Sequence, residues 1–187
     1  MNNPHRRRFL GRSLGVAHVA MAGVWLPGAA RAFSPASTQE ARRLSFNHLH
    51  THERTALVYA LGNDFVPTAL TQLNHFLRDH YTQEVGQMDP ELYHLLHRVR
   101  RELGTELPFH VISGYRSPHT NETLRTTRGG GVAKRSLHMD GKAIDVRLPG
   151  VTLTDLRDAA LSLKAGGVGY YAQDDFVHID TGRVRSW

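Results

Sequence analysis

The sequence predicts a single α+β domain. Segments with the period of a β-strand and segments with the period of an α-helix are mixed in one block of the chain, and neither an internal repeat nor a low-complexity tract divides it. The length of 187 residues is enough for one domain with a proper core and is short for two. The predicted domain is residues 33–187, because the N-terminal segment has a different composition.

Residues 1–32 have the composition of an export signal. They begin with the basic stretch HRRRFLGRS, continue with a mostly apolar run, and end with Ala30-Arg31-Ala32, a small-x-small sequence suited to signal peptidase. Arg6 and Arg7 resemble the arginine pair of twin-arginine signals. The alternative is a retained membrane anchor, but an apolar run of about fourteen residues is short for the roughly 20 that span a bilayer. We expect cleavage near residue 32, export to the periplasm by the twin-arginine machinery, and no stable membrane anchor afterwards.

The net charge gives no support for nucleic-acid binding. The whole chain carries +6, but residues 1–32 hold five arginines and no acidic residue, so the remainder carries about +1. The chain contains no cysteine. Any metal must therefore be bound by histidine, aspartate or glutamate, and 11 of the 13 histidines follow residue 32.

The domain begins with a predicted β-hairpin, formed by the two strand-like runs RRLSFNHLH and TALVYAL. His48, His50 and His52 recur with period two, which puts three imidazoles on one strand face and raises the alternative of a second metal site. No acidic residue or motif accompanies them. An exposed, histidine-rich hairpin is therefore the preferred interpretation.

Two amphipathic helices are predicted next, over residues 66–80 and 89–103. The second helix opens with Asp89-Pro90 in N-cap and N1 order, and Gly104 is a suitable residue to end it. Packing on the helix surface, or half-buried, is the expectation for the four histidines of these helices: His75, His80, His94 and His97.

The second half of the chain has shorter elements. The predicted strands and helix are, in order, FHVIS, AIDVRL, a helix over about residues 152–163, GVGYY and FVHID. The glycine run of residues 129–131 lacks the following Lys-Ser/Thr of a phosphate-binding loop, so we interpret it as a mobile loop that admits substrate. Tyr170 and Tyr171 either line a substrate groove or pack in the core.

Three residues of this half form a possible metal-ligand set. Side chains alternate along AIDVRL, so Asp145 points away from the core face, and His178 is presented in the same way by FVHID. If the two strands are neighbours, their polar faces form one cleft. His138 precedes Asp145 by seven residues, and Gly141 between them allows a sharp turn. Two histidines and one carboxylate leave the fourth position open, as a catalytic zinc requires.

Three motifs resemble those of the D-Ala-D-Ala carboxypeptidase and murein endopeptidase superfamily of zinc peptidases. They are Ser136-x-His138-x-x-Gly141-x-Ala143-x-Asp145, the upstream SGYRS of residues 113–117, and His178 in a short strand. GGVGY and the ending FVHIDTG are similar to a compact, exported branch of murein endopeptidases. The resemblance covers roughly residues 40–187. It implies the Hedgehog/D-Ala-D-Ala peptidase fold, with a small, mainly antiparallel sheet flanked by helices.

The resemblance also implies the roles of individual residues. One Zn²⁺ per chain would be bound by His138, Asp145 and His178, and it would lower the pKa of its bound water toward about 7 and polarise the scissile carbonyl. Arg116 matches the family arginine that binds the carbonyl oxygen as negative charge develops on it.

The general base has two candidates. Asp175 lies three residues before His178, where the carboxypeptidase members have an acidic residue. Asp180 lies two residues after His178 on the same strand face, and it is alternatively a partner that orients this ligand. Asp175 is the preferred base.

The implied function is zinc-dependent hydrolysis of the peptide cross-links of peptidoglycan. A zinc-activated water, deprotonated by Asp175, would attack a carbonyl held by zinc and Arg116. Two alternatives are a D,D-carboxypeptidase that trims cell-wall peptides and a non-catalytic, zinc-containing module that binds them. The bond that is cut is left open among the 4-3 type, the 3-3 type between diaminopimelates, and a bond within the stem peptide.

Overall fold

A computed structural model describes residues 40–127 and 132–187. They form an α+β arrangement, as predicted, and the export signal predicted at residues 1–32 lies outside the described part. The strands are β1 (Ala41–His48), β2 (Arg54–Leu61), β3 (Asp64–Phe65), β4 (Phe109–Ser113), β5 (Ala143–Arg147), β6 (Gly167–Tyr171), β7 (Phe176–Asp180) and β8 (Arg185–Ser186). The helices are α1 (Pro67–Phe76), α2 (Pro90–Glu102), α3 (Pro118–Thr127) and α4 (Leu153–Ser162).

The strands of the described residues form one sheet, in the order β3-β2-β1-β4-β5-β7-β6-β8. Two of the pairings, β1 with β4 and β6 with β8, are parallel, and the other five are antiparallel. The sheet is therefore mainly antiparallel, as expected. With eight strands it is larger than the small sheet that the sequence suggested.

The predicted hairpin is present as β1 and β2, but its histidines do not all behave as expected. Side chains of β1 alternate between buried and less buried, and His48 falls on the buried face with Phe46. Only 2% of His48 is exposed, and its Nδ1 accepts hydrogen bonds from the backbone N–H groups of His50 and Thr51. The expectation of an exposed histidine-rich hairpin is therefore wrong for His48, whereas His50 and His52 are exposed.

Three helices cover the core of the sheet: α1 packs against β2, α2 against β1, and α4 against β6 and β7. Helix α2 begins as predicted, because Asp89 Oδ1 accepts a hydrogen bond from the backbone N–H of Glu91 and Pro90 is the first helical residue. Gly104, with a φ of 61°, follows its end. Helix α1 ends at Phe76, earlier than predicted, so His80 lies in the loop after it.

Three elements were not predicted: the two-residue strands β3 and β8, and helix α3. Helix α3 has no apolar stripe, since its only buried residues are Thr120 and Asn121. Its start is nevertheless capped, because the Ser117 side chain accepts a hydrogen bond from the backbone N–H of Thr120 and Pro118 is the first helical residue. Ser117-Pro118 was therefore the available signal for this helix.

The pairing of β5 with β7 positions the candidate site. Asp145 lies directly opposite His178 in this antiparallel pair, and Ala143 lies opposite Asp180. Ile144 is part of the hydrophobic core, so Asp145, the next residue along the strand, faces the other side of the sheet. The two strands are therefore neighbours, as the ligand hypothesis required. None of the described helices has the length and apolar character needed to cross a membrane.

Candidate metal centre and the cavity around it

Three potential ligand atoms meet on the polar face of β5 and β7. The Nε2 atom of His138 lies 3.2 Å from Asp145 Oδ1 and 3.2 Å from His178 Nδ1, and the latter two atoms are 2.8 Å apart. Within residues 40–127 and 132–187, these side chains form the one cluster of three or more His, Asp or Glu that could hold a metal ion. All three side chains are buried. The structure thus brings the sequence-predicted ligands together.

His138 is placed by a tight turn before β5. The backbone N–H groups of Gly141 and Lys142 donate to the carbonyls of His138 and Leu137, respectively. Gly141 has a φ of 67°, and a Cβ atom at this position would lie 2.0 Å from the carbonyl oxygen of Gln87. Only glycine fits this turn, which delivers the His138 ring to the end of the neighbouring strand.

The outer nitrogen of each imidazole is bound to an acceptor. His138 Nδ1 donates to the backbone oxygen of Gly114 at 2.7 Å, and His178 Nε2 donates to Asp180 Oδ2 at 3.0 Å. Because these nitrogens carry the protons of the neutral rings, His138 Nε2 and His178 Nδ1 are left with lone pairs, and both face Asp145.

This donor set fits a tetrahedral zinc ion. Ligand atoms at the usual 2.0–2.1 Å from a tetrahedral centre are about 3.3 Å apart. The three separations in the structure are 2.8, 3.2 and 3.2 Å. Two imidazole lone pairs and a carboxylate oxygen at this range repel one another unless a positive charge lies among them. Nitrogen and oxygen donors with a fourth position open are the combination found at catalytic zinc sites.

The pKa shifts of the three side chains also favour a positive ion at the cluster. Burial alone would raise the pKa of Asp145, but the neighbouring His138 and His178 hold it well below its usual range. Burial alone would lower the pKa of His178, but hydrogen bonds with Asp145 and Asp180 raise it to about 9. Burial lowers the pKa of His138. The two buried carboxylates, Asp145 and Asp180, therefore favour positive charge between them, which a bound metal ion would supply.

Asp180 supports His178 rather than facing substrate. It is fully buried and accepts five hydrogen bonds, which come from His178 Nε2, from both terminal nitrogens of Arg185, and from the backbone N–H groups of Gly167 and Gly182. These donors hold the pKa of Asp180 well below its usual range, against the opposing effect of burial. The sequence suggested two roles for Asp180, a general base or a partner that orients His178. These contacts are those expected of the orienting partner.

The structure does not bring Asp175 to the ligand cluster. Asp175 has a φ of 56°, and its carboxylate forms an ion pair with Arg147. Its side chain is 63% exposed, and neither residue of the pair lines the cavity beside the ligands. The neighbouring Asp174 does line that cavity. The sequence could not distinguish the two, because the direction of each side chain depends on the conformation of the β6–β7 turn.

Arg116 lies beside the ligands, as the sequence suggested. Its backbone N–H donates to the carbonyl of His138, and its guanidinium Nη2 lies 3.6 Å from Asp145 Oδ2. The residue is partly exposed to the cavity, which has a volume of about 470 Å³ and is lined by all three ligands. A fixed positive charge is therefore available next to the ligand atoms.

The wall of this cavity includes a stack of rings that the sequence did not reveal. The imidazoles of His50 and His80 are parallel with centroids 4.1 Å apart, and the ring of Tyr81 lies 4.2 Å from His80 on the cavity wall. Burial, followed by the proximity of His50, lowers the pKa of His80 to about 4. His80 is therefore neutral at pH 7, and no local motif marks it because its stacking partner His50 comes from a distant segment.

The aromatic residues of β6 and β7 and the aromatic residue after β8 divide between core and cavity. Tyr170 packs against the core, whereas Tyr171, Phe176 and Trp187 line the cavity. The two outcomes considered for the tyrosine pair are thus both found, one for each residue. The glycine run of residues 129–131, interpreted as a loop that admits substrate, lies outside the described residues.

Comparisons with known proteins agree with the resemblance found in the sequence. A family model described as peptidoglycan L,D-endopeptidase MepK matches residues 36–187. The chain is 44% identical to the peptidoglycan L,D-endopeptidase MepK of Escherichia coli (strain K12) over 174 residues, which cover 93% of this chain and 94% of the relative. It is 42% identical over 152 residues to the probable peptidoglycan L,D-endopeptidase MepK of Haemophilus influenzae, covering 81% of each. Among solved structures, the Serratia marcescens L-Ala D-Glu endopeptidase ChiX aligns with 52% of this chain and 69% of its own, at 19% identity and a TM-score of 0.34.

Proposed function

The chain belongs to the peptidoglycan L,D-endopeptidase MepK family, and from this premise we propose that it is a zinc-dependent endopeptidase that hydrolyses peptide cross-links of peptidoglycan. The observation that supports the zinc most directly is the convergence of His138 Nε2, Asp145 Oδ1 and His178 Nδ1 within 3.2 Å of one another. The ligands border a cavity that can admit a peptide.

The activity in the names of the relatives narrows the choice of bond that this chain is proposed to cut. Relatives from two genera are described as L,D-endopeptidases, which cut between an L-centre and a D-centre. A 4-3 cross-link joins two D-centres, whereas a 3-3 cross-link joins the L-centre of one diaminopimelate to the D-centre of the next. We therefore favour the 3-3 bond over the 4-3 bond for this chain. The D,D-carboxypeptidase alternative loses support for the same reason.

His138, Asp145 and His178 would hold the zinc, which when bound lowers the pKa of a coordinated water and polarises the scissile carbonyl. The protein's own contribution begins with the orientation of these ligands. Gly114 and Asp180 fix which nitrogen of each ring faces the ion. Burial of the ligands excludes solvent and strengthens every charge interaction at the site.

Arg116 would stabilise the negative charge that develops on the carbonyl oxygen during attack. Its guanidinium lies 3.6 Å from Asp145, and its backbone is bonded to His138, so its position is tied to two of the ligands. A donor whose position is set before the reaction needs little reorganisation at the transition state. Removal of one such donor typically lowers kcat by about 10²–10³-fold.

The base role suggested for Asp175 has little structural support, because Arg147 binds its carboxylate outside the cavity. Asp174 is the carboxylate of the same turn that borders the cavity, and in the described residues it forms no hydrogen bond that would hold it away from a substrate. We therefore propose Asp174 as a candidate acceptor of the water proton, to be compared with Asp175 by mutation.

The experiment that tests the function is a digestion of purified peptidoglycan and its soluble cross-linked fragments, with and without a chelator, with products identified by mass. We expect chelator-sensitive separation of stem peptides. Release of single amino acids would indicate a carboxypeptidase, and absence of any product would favour a binding module. His138→Ala should abolish both zinc binding and cleavage. His119→Ala, which changes an exposed histidine of α3 outside the cavity, is the matched control.

We also propose that residues 1–32 are a twin-arginine signal peptide, so that the enzyme acts in the periplasm without a stable membrane anchor. The family match begins at residue 36, shortly after the proposed cleavage point. Replacing Arg6 and Arg7 with lysine should leave uncleaved precursor in the cytoplasm. Unaffected processing would argue for the general secretory route instead.

A further inference from the structure

Trp187 exposes a large apolar surface beside a proposed metal ligand. Its ring centroid lies 5.2 Å from that of His178, and half of the residue, 50%, is exposed to solvent. It lines the same cavity as the three ligands. A large aromatic ring on the wall of a cavity offers a ligand an extensive contact surface.

The structure holds this indole firmly in place. The backbone of Trp187 is bonded to β6 on both sides: its N–H donates to the carbonyl of Val168, and its carbonyl accepts from the N–H of Tyr170. The indole Nε1–H donates to the hydroxyl of Tyr171 at 2.8 Å. The ring lies over Gly169, where a Cβ atom would come within 2.7 Å of the indole. Glycine at this position therefore leaves room for the ring.

A charged neighbour also packs against the ring. The guanidinium of Arg185 lies 4.7 Å from the Trp187 ring centroid and also binds both oxygens of Asp180, the partner of His178. The indole is therefore ordered before any ligand arrives. Because its side-chain entropy is already lost, contact with a substrate costs little further ordering.

We propose that Trp187 is a substrate-contacting residue that determines specificity, its exposed indole forming the wall on which the aliphatic chain of the cross-linking diamino acid packs next to the scissile bond. This inference rests on the proposed endopeptidase function. A flat apolar surface suits the methylene groups between the charged ends of such a residue. Arg185 lines the same cavity beside the indole, so its positive charge favours a carboxylate at one of those ends.

Steady-state kinetics on soluble cross-linked peptidoglycan fragments test the proposal. Trp187→Ala should raise KM about 10- to 30-fold, the effect of deleting a central apolar anchor, and change kcat less than about threefold. Trp187→Phe, which keeps an aromatic face and guards against a folding defect, should raise KM less. Val184→Ala is the control, because Val184 is 61% exposed in the same segment but does not line the cavity. Zinc content is measured for every variant.

Fluorescence provides a readout that a merely structural role would not change. The sequence contains two tryptophans, so Trp25→Phe in the full chain leaves Trp187 as the one remaining indole. We expect its emission to shift to shorter wavelength on rapid mixing with the fragments, before product forms. Unchanged emission together with an unchanged KM in Trp187→Ala would overturn the proposal, as would a loss of zinc and kcat with KM unaffected. If the unaltered enzyme forms no product from any fragment, the proposed function fails instead.

Discussion

Asp180→Asn is expected to weaken zinc binding although Asp180 is not a proposed ligand. Three N–H donors, from Gly167, Gly182 and Arg185, converge on Oδ1, so the amide oxygen of asparagine will occupy that position. The amide NH₂ then replaces Oδ2, where it faces the N–H of His178 and a second N–H of Arg185. Donors would face donors at about 3 Å.

The conflict is relieved if His178 moves its proton to the other ring nitrogen. Nε2 then accepts from the amide, but Nδ1 carries the proton and no longer offers a lone pair to the metal. Loss of such orienting partners typically lowers metal affinity 10- to 100-fold. That range corresponds to about 1.4–2.7 kcal/mol of binding free energy.

The assay is a competition titration of zinc between the protein and a chromophoric chelator, at fixed pH and salt, with circular dichroism to confirm the fold. Asp140→Asn is the matched control, because Asp140 is an exposed acidic residue in the same turn as His138 and does not line the cavity. Its affinity should equal that of the unaltered protein. An Asp180→Asn affinity within twofold of the control would refute the tautomer argument.

Three further predictions concern acid stability, the base and the ligand turn. Burial, with His80 and His50 nearby, lowers the pKa of His48 from 6.5 to about 4, so the unfolded chain binds its proton first and the free energy of unfolding falls as pH drops from 6.5 to 4. The loss should be about 3 kcal/mol, and His48→Asn, which keeps an acceptor for the two backbone N–H groups, should remove it. Urea unfolding at pH 7 and pH 4 measures this, and the same pH dependence in both proteins would contradict it. Asp175→Asn should keep its zinc and near-normal kcat, because Arg147 binds that carboxylate outside the cavity, whereas Asp174→Asn should lower kcat more. A large loss of turnover in Asp175→Asn with full zinc content would restore its role as base. Gly141→Ala should destabilise the fold by about 2–4 kcal/mol in chemical unfolding, since it combines left-handed backbone with a clash against Gln87. A loss below about 0.5 kcal/mol would show that the turn adapts.

The convergence of His138, Asp145 and His178 could be predicted because it depends on local rules. Alternation along β5 and β7 fixes the faces of Asp145 and His178, and the two strands proved to be antiparallel neighbours with these residues opposite each other. The cap of α2 could be predicted for the same reason, because the Asp89 side chain binds a backbone N–H only two residues away. Local patterns thus predicted both the cluster of three possible metal ligands and the start of helix α2.

The surroundings of the ligands could not be predicted in the same way. His80 and Trp187 both line the cavity, but they belong to segments about a hundred residues apart. No motif in either segment indicates that the two residues lie on the same cavity. The direction of Asp175 depends on a single φ angle of 56° in a short turn. Helix α3 was not predicted, because it is marked by a polar cap and has no apolar stripe. Long-range packing and turn geometry therefore decide which side chains face the substrate.

A titration of metal-free protein with zinc, followed by the rate at which cross-linked peptidoglycan fragments are cleaved, tests whether the His138 site holds a catalytic metal. We expect no cleavage without zinc and a rate that rises linearly to a break at one zinc per chain, with His138→Ala inactive throughout. Full activity in the metal-free protein, or a break that survives in His138→Ala, would contradict this expectation.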